Sequence, residues 1–288
     1  MSDPALDLAV PSAAAAPQAD LRRIPHLGHA LLLGALFLVG LFTSVILILV
    51  ALHYKWFGVA RVQDAMLSLP YALGTMVVLY VAAFVPGAAV FPPLWRRPLL
   101  AGLEWNASTL RRHWWKFLGL GVGCFLVALA FRKLLHFPAK TLMGDLLTTP
   151  AAIWTMFAFA ITLAPLCEEI VFRGFLLPAF ATACDWTAEK LTHRPPPPLL
   201  AGGHPRWSLP AMTIAAIPTS LLFAALHSSQ NAYAWGPFAL LFSVSLILCA
   251  VRLASRSVAA STLTHATYNC TLFVVMFFQT QGFHHLHP

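Results

Sequence analysis

Charge is scarce in this chain. Its 288 residues include 10 Asp and Glu and 18 Lys and Arg, so charged residues make up only 10%. Hydrophobic residues fill 59% of positions, and mean hydropathy is +0.75. No soluble domain of this length hides that much apolar surface in one core. The solvent is therefore lipid. Cysteine is sparse too: the 5 residues lie scattered in apolar runs with no paired spacing. That excludes a disulfide framework and leaves them as small buried residues. The HExxH pattern of soluble zinc proteases is absent, and so is any internal repeat.

Long apolar runs fill the space that charge vacates. A span of the bilayer takes about 20 residues, and seven runs qualify. They lie near Ala30–Leu52, Leu67–Val90, Phe117–Leu135, Ala151–Phe180, Ala211–Ser229, Phe238–Leu253 and Ser257–Phe278. The expected fold is all-α: a polytopic bundle of about seven spans, with an interfacial amphipathic helix at Arg96–Phe117, where Arg, Trp and Leu alternate. Residues 1–29 read as an Ala/Pro-rich cytoplasmic tail, 30–150 as an N-terminal transmembrane region, 151–280 as the part that carries chemistry, and 281–288 as a His-rich tail. A Pro-rich linker runs from Thr192 to Trp207. With the N-terminus inside, the cytoplasmic segments collect most Lys and Arg, from Arg22 and Arg23 to Arg252 and Arg256. The outer loops hold only Lys55, Arg61, Arg132, Lys133 and Lys140. That asymmetry sets the orientation. The net charge of +8 then needs anionic lipid headgroups and no nucleic acid.

Three charges interrupt the fourth run, in PLCEEIVFRG from Pro165 to Gly174. A carboxylate at the bilayer centre costs roughly 2.5–3.5 kcal/mol on insertion scales, so such groups default to function. Glu169 and Arg173 are four apart, on one helix face, and can form an ion pair. Glu168 points about 100° away round the helix and has no partner within the segment. Later runs add His227, at the end of TSLLFAALHSS, and His265 with Asn269, four apart in STLTHATYNCT. From the helical rise, Glu168 lies about 18 Å from the Phe180 end. His227 is about 24 Å from Ala211, and His265 and Asn269 are about 12 and 18 Å from Ser257. Four side chains at overlapping depths can share one chamber.

Such a chamber suits hydrolysis. A desolvated carboxylate holds a proton more readily and can take one from water. One histidine can help hold that water. The other histidine and the asparagine can donate to the oxyanion formed when an amide carbonyl is attacked. Alternatively, Glu168, His227 and His265 can bind zinc and leave water in the fourth position. The spacing does not separate the two. Cys167 as a nucleophile is the weaker reading, because a thiol in apolar surroundings is inert.

EEIVFR (Glu168–Arg173), FAALH (Phe223–His227) and HATYN (His265–Asn269) resemble, in order, the EExxxR, FxxxH and HxxxN/D motifs of the CPBP family. That family comprises type II CAAX prenyl endopeptidases and bacteriocin-processing or immunity-related membrane proteases. The resemblance covers about Ala151–Phe278. It implies an intramembrane endopeptidase with its chamber open to the cytoplasm, Glu168 activating water with His227, His265 and Asn269 stabilising the oxyanion, and Glu169–Arg173 bracing the site. It implies no required cofactor under a glutamate mechanism and zinc under a metalloprotease one. The expected partners are the bilayer and a membrane-anchored protein or peptide tail as substrate, and the expected location is a bacterial cytoplasmic membrane. A non-catalytic scaffold of the same fold is the rival. A secondary transporter fits less well, because the polar residues cluster in the second half only.

Overall fold

The long helices follow from the apolar runs and the residues that punctuate them. The computed structural model describes residues 23–195 and 207–284, so Arg22, most of the N-terminal tail, the centre of the Pro-rich linker with Arg206, and residues 285–288 lie outside the described residues. The first hairpin is α1 (Leu27–His53), a short α2 (Val62–Met66) and α3 (Leu69–Trp95). After a single turn, α4 (Leu99–Gly102), comes α5 (Ala107–Leu134), then a short α6 (Leu142–Leu146). The second half holds α7 (Pro150–Ile161), α8 (Leu163–Glu169), a wide turn at Ile170–Leu176, α9 (Leu177–Thr192), α10 (Leu209–Leu226), α11 (Trp235–Ser255) and α12 (Val258–Gln279). Among the described residues there is no strand.

Much of the apolar surface faces outward. On α1, Leu31, Leu38, Phe42, Ile46 and Leu49 are all exposed, whereas Leu33 is buried. An outward face this apolar is solvated by acyl chains. Six helical segments are long and apolar enough to cross a membrane, with α7 to α9 forming one 43-residue path. The bundle is polytopic as expected, and α12 is the segment by which these six differ from a count of about seven. Helix α12 has the length, at 22 residues, but its Ser261, Thr264, His265, Thr267 and Asn269 keep it out of the six. It packs instead against α5, α7, α8 and α11. Its polar side chains are thereby held inside protein, where intramembrane polar groups belong.

The expected interfacial helix also takes another form. Arg96–Phe117 is divided by a turn at Glu104, whose φ is +54°, and its second half is the start of α5 itself, with a dihedral break at His113 (φ −132°, ψ 23°). The turn is anchored to the α11–α12 corner. Arg252 Nη2 donates to Glu104 Oε2 at 2.6 Å, Val258 N to Glu104 O at 3.1 Å, and Ser257 Oγ to Asn106 O at 2.9 Å. Close packing of α5 on α12 needs Gly121, where a Cβ would lie 2.5 Å from Thr267 Cβ and 2.7 Å from the Thr264 carbonyl oxygen. Small residues at a membrane helix crossing let backbones approach in this way.

Two prolines shape the fourth path. Pro165 has no N–H, and its ring crowds the carbonyl four residues back. The helix breaks just there, at Thr162 (φ −121°, ψ −85°). Pro178 likewise has no N–H for the Gly174 carbonyl. The preceding turn, Ile170–Leu176, widens so that Leu177 N donates to Phe172 O, five residues back. Such π-turns recur at functional sites. Both distortions flank the glutamate pair.

Candidate active site

Glu169 and Arg173 stand on α8 and the π-turn, both fully buried, with Arg173 Nη1 2.9 Å from Glu169 Oε1. The expected ion pair is present. Arg173 is satisfied further by α11, where its Nη2 donates to the Ser245 carbonyl at 2.9 Å and to Ser245 Oγ at 2.8 Å. The guanidinium also lies over the Phe223 ring, 5.1 Å from its centroid. A buried charge kept this way has partners on three helices, which is what offsets its desolvation.

His265, on α12, is buried. Its Nδ1 lies 2.9 Å from the same Glu169 oxygen that Arg173 holds. A carboxylate paired with Arg173 only accepts, so Nδ1 carries the proton and Nε2 presents a lone pair. His227 ends α10, and its Nδ1 lies 2.8 Å from the Phe223 carbonyl oxygen. A carbonyl only accepts too, so His227 has the same tautomer. Both Nε2 atoms face Glu168: His227 Nε2 is 3.9 Å from Oε1, and His265 Nε2 is 3.9 Å from Oε2. Glu168 itself is partly open, its side chain 19% exposed. The expected split therefore holds in geometry, with Glu169 locked into the protein and Glu168 turned to a space between two imidazoles.

Phe223 organises that space. It is 1% exposed, lies against the His227 ring at 4.6 Å and meets His265 edge-on at 5.9 Å between centroids. Its contacts with Arg173 and with both histidines fix ring orientations that the backbone leaves free.

Asn269 stands one turn beyond His265, and its Nδ2 donates to the Ala160 carbonyl at 2.7 Å. The break at Thr162 explains this contact. In an unbroken helix the Ala164 amide would take that carbonyl, so Asn269 caps the damaged helix. One N–H of its amide is thus committed and a second remains. Sequence reasoning missed this role, as it missed Ser245. The proline was the available signal for the first. A serine inside an apolar run gives none for the second.

Zinc chemistry fits the donor types, two imidazole Nε2 atoms and a carboxylate, with each Nδ1 held from behind as metal-binding histidines usually are. The spacing does not fit. Tetrahedral zinc donors about 2.0–2.1 Å from the metal lie roughly 3.3 Å apart, closer than the 3.9 Å found here. Among the described residues no group of three or more His, Cys, Asp or Glu is arranged to hold a metal ion.

Apolar helices gathered round a buried Glu–Arg–His cluster define an integral membrane protein with a polar site inside the bundle. Residues 149–271 match the family model described as "Rce1-like: Type II CAAX prenyl endopeptidase Rce1-like". This segment contains Glu168, Glu169, Arg173, His227, His265 and Asn269, and its similarity to that family supports the CPBP resemblance of the three motifs. A curated relative, an uncharacterized 24.3 kDa protein of Escherichia coli, is 33% identical over 148 residues, which is 50% of this chain and 54% of that protein. The chain thus spans about half the length of this curated relative. No solved structure matches.

Proposed function

We propose that the protein is an intramembrane endopeptidase that hydrolyses a peptide bond in a membrane-anchored protein or peptide tail, in a bacterial cytoplasmic membrane with its N-terminus inside. The observation that carries this reading is the Glu168 carboxylate facing two Nε2 lone pairs at 3.9 Å each. That gap is too long for a direct hydrogen bond and suits a bridging water. The water donates one hydrogen to Glu168 and the other to His227 Nε2. Its oxygen attacks the scissile carbonyl carbon as Glu168 takes the proton. The new C–O bond leaves an oxyanion, and collapse of the intermediate expels the amine, which receives the proton from Glu168.

Oxyanion stabilisation falls to the second N–H of Asn269 and to His265. The ring of His265 acts as donor when the proton that Glu168 takes from the water passes to Nε2, 3.9 Å away, before returning through Glu168 to the amine, and Glu169 at Nδ1 supports the imidazolium so formed. Each step runs on side chains of this chain and needs no metal.

The test is to reconstitute the wild-type protein or Glu168→Gln with membrane proteins from cells lacking it, and to map new polypeptide termini by mass spectrometry. New termini with the wild type alone support the reading. Identical termini with both proteins overturn it, and no termini with either leaves a scaffold of the same fold as the answer.

A further inference from the structure

The two ends of the bundle differ in charge, and the site is packed closed toward one of them. Contacts define the first end. Arg23, ahead of α1, pairs with Glu189 near the end of α9 at 2.6 Å, and Arg252, near the end of α11, pairs with Glu104, just ahead of α5, at 2.6 Å. Lys190 on α9, Arg256 after α11 and Arg111 in the first turns of α5 stand at the same end. In the orientation proposed above this is the cytoplasmic end. At the opposite end α6 packs on the turn Ser229–Asn231 that follows α10. There the His136 carbonyl comes so near the start of α11 that Gly236 leaves no room for a Cβ.

Glu168 and His227 lie toward that second end. Helix α10 starts at the cytoplasmic end, and His227 is its C-cap. Its 18 residues carry the chain about 27 Å, most of the way across a hydrocarbon core roughly 30 Å thick. Glu168 lies 3.9 Å from the His227 ring and shares its depth. Burial follows the same direction on three helices. On α10 the buried stripe of Ala211, Ala215, Thr219 and Phe223 stops at His227, whose side chain is 21% exposed. On the fourth path Phe172–Phe175 and Leu177–Ala179 are buried without a break, whereas Glu168 is partly open and Thr162 exposed. On α12 Val258–Ser261 are all buried, and Asn269–Thr271 are only partly so. The cytoplasmic half is thus a packed plug, and Glu168 opens away from it. What lies beyond His227 is polar, at Ser228, Ser229, Gln230 and Asn231, with Asn231 Nδ2 donating to the His227 carbonyl at 3.0 Å. Exposed Tyr233 and Trp235 follow, the residue types that settle at the headgroup boundary.

We propose that the site opens on the extracytoplasmic side of the membrane, opposite to the opening that the family resemblance implies, and that its substrates are membrane-anchored polypeptides whose scissile bond lies on that side, at the outer end of a span. This rests on the endopeptidase reading and narrows its substrate class to exported segments. Tails that remain in the cytoplasm are excluded.

The side of the opening is read without turnover. Glu168→Cys, in a chain that also carries Cys184→Ser and Cys270→Ser, is treated with a membrane-impermeant methanethiosulfonate in right-side-out spheroplasts and in inside-out vesicles, and labelled positions are mapped by mass spectrometry. In the same background Tyr233→Cys reports the outer end and Thr192→Cys the inner one. Labelling at position 168 is expected to be at least tenfold faster in spheroplasts, as at position 233, with the reverse at position 192. Faster labelling at position 168 in inside-out vesicles, equal labelling in both, or none in either while position 233 reacts, overturns the proposal. Ser228→Cys gives a second reading beside His227, with the same outcomes, in a chain that keeps Glu168. A peptide assay then reads the substrate side. Internally quenched decapeptides with an N-terminal palmitoyl anchor and a sulfonated fluorophore stay in the leaflet to which they are added. Wild type is expected to cleave them at least tenfold faster in spheroplasts than in inside-out vesicles, and Glu168→Gln in neither. Equal or faster cleavage in inside-out vesicles overturns the proposal. If position 168 is labelled from outside and no peptide is cut in either orientation, the endopeptidase reading fails and the outward opening stands.

Discussion

Glu169 holds His265: its Oε1 lies 2.9 Å from the imidazole Nδ1, on the oxygen that Arg173 also reaches. One buried carboxylate therefore fixes both the tautomer of His265 and the place of the arginine. The pair of glutamates divides accordingly, one held through Oε1 by Arg173 and His265 and one facing the gap between two rings.

Arg173→Met tests the bracing half of that division. It leaves Glu169 as a buried charge without its cation, a change that costs about 3–5 kcal/mol. The unfolding temperature in detergent is expected to drop sharply, and His265 loses its fixed orientation. An unfolding temperature equal to wild type would show that the ion pair contributes nothing.

Asn269→Asp separates helix capping from chemistry. The carboxylate has the same size but no N–H for the Ala160 carbonyl 2.7 Å away. Loss of a buried hydrogen bond of this kind costs about 1–3 kcal/mol, so a lowered unfolding temperature is expected together with slower cleavage. Slower cleavage at full stability would mean that Asn269 acts on the substrate alone.

The two halves of this site differed in how far the sequence revealed them. Glu169 and Arg173 were legible because helix periodicity places residues four apart on one face whatever else happens. His265 and Asn269 were paired for the same reason, though the outcome was different, since Asn269 turns to a carbonyl that only the break at Thr162 sets free. Proline 165 stood in view, but a proline inside a membrane span does not say which side chain repairs the damage. The Arg173–Ser245 and Glu104–Arg252 contacts join residues 72 and 148 positions apart, and no local pattern encodes such meetings. The polar face of α12 is held by packing against α5 and α11, which hydropathy does not record.

Gly121→Val probes the crossing that brings α12 to the site. A Cβ there meets Thr267 at 2.5 Å and the Thr264 carbonyl at 2.7 Å, so α12 must move away from α5, and His265 moves with it. Overpacking of this order costs about 1–3 kcal/mol. Calorimetry is expected to record the destabilisation and the peptide assay a loss of rate. A variant with wild-type stability and rate would mean the two helices are not in contact as described.

Metal dependence has its own readout. Cleavage by protein truncated after Phe283, which removes the terminal histidines, is expected to continue in strong chelator, with less than a tenth of a zinc per chain by elemental analysis. Activity abolished by the chelator and restored by zinc would establish that Glu168, His227 and His265 close up around a metal.

The most direct measurement of the central claim is the cleavage rate of Glu168→Gln against wild type on one peptide, with both proteins reconstituted and both shown to unfold at the same temperature. The amide keeps the shape of the side chain and removes the base. The account predicts a fall in kcat of at least a thousandfold with little change in KM, and a rate within a few-fold of wild type would contradict it.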